Sequence, residues 1–253
     1  MHKEGLPIQL EPGGFNMRLS APIYRLKRQA KLIARQKAIR LHEALDQVAI
    51  NQGYQSWSHL ASVSSTRGPA AKILSNLNPG DMILIGARPG QGKTSLGFEL
   101  ASKASEIGRK GFFFTLDFHE RDIENLASDL GIRPSPDKNA PTVDTSDQVS
   151  AEYVINHLKL SKEPALVVVD YLQLLDQKRV HPSLDEQVQS LRQYVTATDA
   201  ICVLISQVDR AFDLSNKSMP GVSDIRLPNP IDLSVFDKMC FLHDGAIHLQ
   251  SNV

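Results

Sequence analysis

Met82-Ile83-Leu84-Ile85 runs straight into Gly86-Ala87-Arg88-Pro89-Gly90-Gln91-Gly92-Lys93-Thr94-Ser95. An apolar stretch, a glycine-rich turn and a Lys-Thr pair in this order can bind phosphate. Glycines let backbone N–H groups converge on phosphate oxygens without a Cβ in the way. A helix starting near Thr94 would add the positive end of its dipole. On this reading Gly86, Ala87, Arg88, Pro89, Gly90, Gln91, Gly92, Lys93, Thr94 and Ser95 cradle a nucleotide. Lys93 bridges the β- and γ-phosphates, and the Thr94 hydroxyl sits on Mg²⁺. The general pattern is G-x-x-x-x-G-K-[ST], and Ala87 stands at its first glycine. The plainer alternative is a glycine-rich turn with a solvated lysine.

Three further strand-like runs end in polar groups. Leu166-Val167-Val168-Val169 ends in Asp170, which at the C-terminal edge of a parallel sheet would face the nucleotide crevice and support the metal ion. It could equally cap the next turn. Gly111-Phe112-Phe113-Phe114-Thr115-Leu116 ends in Asp117, either an orienter of the attacking water or a surface carboxylate. Ile201-Cys202-Val203-Leu204-Ile205-Ser206 ends in Gln207, either a sensor of the γ-phosphate or part of a turn.

The elements that must position these groups follow from periodicity. Helical spacing over Leu26 to Lys37 and Leu41 to Ala49 is stopped by Gly53, with another short helix from Ser56 to Leu60. Residues 62–68 read as a linker. Beyond it strands and helices alternate: Met82–Ile85, then helix Thr94–Ile107, strand Gly111–Leu116, helix Glu120–Leu130, helix Ala151–Leu160, strand Leu166–Val169, helix Leu184–Thr198, and strand Ala200–Ile205. Lys238–Leu242 and Ala246–Leu249 read as a closing hairpin. This predicts an α/β fold with a mainly parallel sheet, helices on both faces and a small N-terminal helical domain. The expected division is 1–21 irregular tail, 22–66 basic helical domain and 67–253 sheet domain.

The chain has 253 residues, 28 Lys+Arg against 28 Asp+Glu, and two cysteines. Zero net charge excludes a bulk polycation, so any nucleic-acid contact must be a local patch. The two cysteines form neither a disulfide framework nor zinc spacing, which suits a reducing, cytoplasmic setting. No run approaches the roughly 18 apolar residues of a membrane span, and Met1 to Gln9 has no apolar signal core.

Four motifs stand in a recognisable order. Gly86-Ala87-Arg88-Pro89 with Gly92-Lys93-Thr94 resembles the phosphate loop of DnaB-type replicative helicases, a RecA-like P-loop family that tolerates alanine at Ala87. Val169-Asp170-Tyr171-Leu172-Gln173-Leu174-Leu175 resembles its second acidic strand. Ile205-Ser206-Gln207-Val208-Asp209-Arg210 and Ser223-Asp224-Ile225-Arg226 resemble its two later segments. The resemblance covers about Leu74 to Asp244. It implies an Mg²⁺–ATP-dependent ATPase acting on single-stranded DNA as a homo-oligomer, in the extreme a ring. Lys93, Asp117 and Gln207 would be catalytic, and Thr94 and Asp170 would serve the metal. Asp117 falls where the family usually has a glutamate, one methylene longer, and a misplacement of about 1 Å costs on the order of a hundredfold in rate. The family's Lys/Arg-bearing hairpin beyond His243-Asp244-Gly245 and its helical N-terminal domain have no match here. Pro228 to Ile231 is proline-rich where the family is acidic. Leu26 to Leu60, through Lys27-Arg28-Gln29-Ala30-Lys31, His42-Glu43-Ala44-Leu45 and Gly53-Tyr54 with Ser56-Trp57 and Leu60, resembles a small helical module of glyoxalase-related proteins.

No acid lies between Glu11 and Glu43, a stretch holding Arg28, Lys31 and Arg35. Such a helix could lie along phosphates, remain a solvated face or dock on an acidic surface. Tyr54 and Trp57 could stack bases, but a small module needs a core, and Trp57 with Leu60 suits that. Lys178, Arg179 and Arg210 stand where the family's DNA-facing loops lie. Two other readings remain: a nucleotide-gated switch that binds a protein partner, and a non-enzymatic DNA-binding protein built on the basic helix.

Overall fold

Helical spacing in the first part of the chain becomes α1 (Ile23–Lys37), α2 (Leu41–Asn51) and a short α3 (57–61) in the computed structural model. The structure describes residues 21, 23–61, 68–115, 118–132, 140–176, 182–227 and 229–252. The expected tail apart from Ala21, most of the linker, and Asp117, Lys178, Arg179 and Pro228 lie outside these. The three helices close over Leu26, Ala30, Ala44, Val48, Ala49 and Leu60, with Trp57 and Tyr54 packed against them. Trp57 therefore belongs to the core of the module, and its backbone N–H donates to Asp46 Oδ1 at 2.8 Å.

The remaining elements are α4 (Pro69–Leu74), β1 (Met82–Ala87), α5 (Lys93–Ser102), β2 (Lys110–Thr115), α6 (Glu120–Leu130) and β3 (Thr142–Asp144). They continue with α7 (Ala151–Lys159), β4 (Ala165–Asp170), α8 (Leu184–Thr198), β5 (Ile201–Gln207), β6 (Lys238–His243) and β7 (Ala246–Ser251). The strands form one seven-stranded sheet in the order β3-β2-β4-β5-β1-β6-β7. Every pairing is parallel except β6 with β7. The expected α/β architecture is present.

Because strand side chains alternate, the sheet has two apolar faces. Val167, Val169, Cys202 and Leu204 face α7 and α8 through Val154, Leu158, Val188 and Leu191. Ile85, Phe113, Val168, Val203 and Ile205 form the other face. It is covered by α4, α5 and α6 through Ile73, Leu96, Leu100 and Ile123.

Two expectations change. The helix expected over Thr94–Ile107 is α5 to Ser102, followed by a 3-10 turn at Ala104–Ile107 that Gly108 ends at φ +69°. The edge strand β3 is an addition, because three residues are too short to show alternation. α8 matches its expected bounds. Its start is fixed by Ser183, whose N–H donates to Glu186 Oε2 at 2.8 Å while its Oγ accepts from the Glu186 N–H at 3.3 Å.

Candidate nucleotide site

The phosphate loop leaves the C-terminal end of β1, a central strand between β5 and β6. Gly90 and Gly92 hold φ of +77° and +87°, which a side chain would strain. α5 starts at Lys93 without a side-chain cap, so its first N–H groups are left for another acceptor. The helix is seated closely. A Cβ at Gly97 would lie 2.5 Å from Ile205 Cδ1, and one at Gly111 would lie 1.9 Å from the Ala101 carbonyl oxygen. The sequence gives no signal of either role, since both glycines matter only through the approach of α5 to the sheet.

Alternation places the other candidates. Val168, Phe113 and Ile205 lie under α5, so Asp170, Thr115 and Gln207, each two residues further on, sit on the same face at the strand ends. Asp170 is 1% exposed. Thr115 is its register neighbour on β2, and the buried Thr115 hydroxyl has no hydrogen-bond partner among the described residues. Ser206 points the other way and accepts from Gln173 Nε2 at 3.3 Å, which also donates to the Arg226 carbonyl at 2.8 Å.

The loop's own side chains divide. Lys93 and Thr94 have no hydrogen bond or ion pair through their side chains among the described residues. Arg88, by contrast, grips Asp213, with Nη2 2.7 Å and Nε 2.9 Å from Oδ2, and donates to the Val208 carbonyl at 3.0 Å. The Arg88 guanidinium is thus committed to Asp213 and Val208 by three of its five N–H donors. Gln91 Oε1 accepts from the Asp244 N–H at 2.9 Å, tying the loop to the β6–β7 turn. The Arg88 guanidinium holds the Asp213 carboxyl below its ordinary range.

The segment after β5 is built from 3-10 turns at Arg210–Leu214 and Val222–Asp224, joined by a bridge between Val208 and Ile225. Its Lys217 pairs with Asp224 at 2.8 Å, and that hydrogen bond lowers the Asp224 pKa. Arg210 is exposed. On α1, Lys31 pairs with Asp129 of α6 at 2.6 Å, while Arg28 and Arg35 are exposed. The structure therefore brings Lys93, Thr94, Asp170 and Gln207 to one sheet edge and sets α1 against α6.

Residues 137–251 match the family model of the DnaB-like helicase C terminal domain. The chain is 27% identical over 207 residues to the replicative DNA helicase DnaB of Mycoplasma genitalium, covering 68% of this chain and 44% of that protein. It is 23% identical over 205 residues to that of Helicobacter pylori strain 26695, covering 69% and 42%. The chain thus spans less than half the length of these relatives. Among solved structures, a DnaB-like replicative helicase superposes with a TM-score of 0.51 at 18% identity, covering 86% of this chain and 66% of that one. A separately solved ATPase domain superposes at 0.52 and 18%, covering 74% and 81%. The likeness to these solved structures is one of fold, and residues 137–251 are similar to the C-terminal domain of DnaB-like helicases.

Proposed function

We propose that this chain, whose sheet domain is RecA-like and of the DnaB C-terminal kind, is an Mg²⁺-dependent ATPase of the replicative-helicase type that acts on single-stranded DNA as an oligomer. The observation that carries the reading is Lys93, left without a partner among the described residues at the uncapped start of α5, under a loop of positive-φ glycines. The N–H groups of the loop and the Lys93 ammonium bind the phosphates and hold the terminal one for attack by water. Attack forms a new P–O bond, breaks the bond to the diphosphate, and releases inorganic phosphate and a proton.

The residues at the strand ends fit a divalent cation. Thr94, buried Asp170 and the orphaned Thr115 hydroxyl gather at one sheet edge. When bound, Mg²⁺ neutralises charge on the phosphate oxygens. Thr94 would ligate it, Asp170 would hold its water shell, and Gln207 would pass the state of the site to the segment beginning at Val208. Asp117 is the proposed orienter of the water.

One observation favours a second reading, a nucleotide-gated switch with little turnover: Arg88 of the loop and Lys217 of the segment after β5 are both paired internally, which leaves that segment Arg210 and Arg226 as its open cations for DNA. ATP hydrolysis by the purified protein, with and without single-stranded DNA and beside Lys93→Ala, separates the two. Hydrolysis stimulated by DNA and lost in the variant supports the motor. Binding of ATP without turnover under either condition supports the switch.

A further inference from the structure

The basic helix α1 does not stand free. Lys27 donates to the Ser128 carbonyl and, at 3.2 Å, to the Asp129 carbonyl, both in the last turn of α6. Lys31 pairs with the Asp129 carboxylate at 2.6 Å. Cations at the C-terminal end of a helix meet the negative end of its dipole and its last carbonyls. Burial beside α6 lowers the Lys27 pKa, opposed by Asp129. Two residues before Lys27, Arg25 Nη2 donates to the Gly90 carbonyl at 2.9 Å. Gly90 is in the phosphate loop itself, so the N-terminal module places a guanidinium on the edge of the nucleotide site.

We propose that Arg25 is a second phosphate-reading cation, supplied in cis by the N-terminal module and held in place by the Lys27 and Lys31 contacts to α6. This rests on the nucleotide-site reading. Three features support it. The guanidinium has five donors, and the Gly90 carbonyl takes one. No carboxylate on α1 neutralises it, since the helix contains no acid. Its position is determined, because Leu26 and Ala30 of the same helix are buried in the module core. Two cations close to one loop favour the more highly charged ligand, so Arg25 should select a nucleoside triphosphate over the diphosphate.

The test titrates the full-length protein with ATPγS and with ADP, both with Mg²⁺, by calorimetry. The chains compared are wild type, Lys93→Ala, Arg25→Ala, Arg25→Lys, Asp129→Ala and, as a control on the exposed face of α1, Gln36→Ala. Expected is a loss of about tenfold in triphosphate affinity for Arg25→Ala, with diphosphate affinity within about twofold of wild type. Arg25→Lys should recover part of it. Asp129→Ala should give a smaller loss, and adding it to Arg25→Ala should change little further, because both act through one contact. Equal affinity of wild type and Arg25→Ala for ATPγS overturns the proposal while leaving the nucleotide site intact. Equal losses for both nucleotides with a lowered melting temperature also overturn it, by reducing Arg25 to a structural tie. Failure of wild type to bind either nucleotide overturns the site reading and this proposal with it.

Discussion

Lys93 carries no carboxylate among the described residues, whereas Arg88, earlier in the same loop, is held by both oxygens of Asp213. The segment after β5 repeats the second pattern, with Lys217 on Asp224. Lys93 is kept available for an anion, while Arg88 and Lys217 are neutralised internally, and Arg210 and Arg226 are the exposed cations of the later segment. A residue's charge thus says little about its ligand until its partner is known. The phosphate loop is built to receive, while the neighbouring segment is built to stay attached to it.

The hardest break in this contrast is Lys93→Ala. Turnover should fall at least about a hundredfold, as when a donor to developing charge is removed, with the melting temperature nearly unchanged. A fall of less than about threefold in steady-state hydrolysis, well short of that loss, would show that Lys93 is only solvated.

Next in size is Gly111→Ala. The added methyl would meet the backbone carbonyl oxygen of Ala101 at 1.9 Å, an atom that cannot swing aside, so α5 or β2 must move. A loss of about 2 kcal/mol is expected in urea unfolding. An unchanged midpoint would mean that α5 does not approach the sheet this closely.

The sheet is largely legible in the sequence because its strands are short apolar runs bounded by turn residues, and Leu166 to Asp170 shows both features. The phosphate loop is legible because its spacing is local. β3 is not, since Thr142–Asp144 is too short for a period to emerge. The fate of Arg88 is not either: Asp213 lies 125 residues away, and only the fold brings the two together. The same holds for α1, whose run of cations leaves phosphates, solvent or an acidic surface open as partners; the fold sets Lys27 and Lys31 on α6 and leaves Arg28 and Arg35 exposed.

Asp213→Ala sharpens the comparison by freeing Arg88. If the pairing withholds a cation from nucleic acid, affinity for single-stranded DNA should rise about threefold at low salt. The salt dependence should steepen by about 0.7, the value for one further phosphate contact on a single strand. Unchanged DNA affinity together with slower hydrolysis would instead make the pair a brace for the loop.

The smallest effect is on acid stability. Asp213 is lowered chiefly by its hydrogen bond from Arg88, and Asp224 chiefly by that from Lys217. His243 also faces Asp213, and the Gly221 N–H also donates to Asp224. A carboxyl whose folded pKa lies below its unfolded value of about 3.9 binds protons more readily when unfolded. Its contribution is therefore present above that value and is lost as pH falls through the folded pKa. Asp224→Asn should be less stable than wild type near neutral pH. It should also lose less on going from about pH 5 to about pH 3, followed by thermal melting. Parallel curves would mean that the Lys217 pair is as loose in solution as a surface ion pair, and the segment after β5 would then have a further cation to offer beside Arg210 and Arg226.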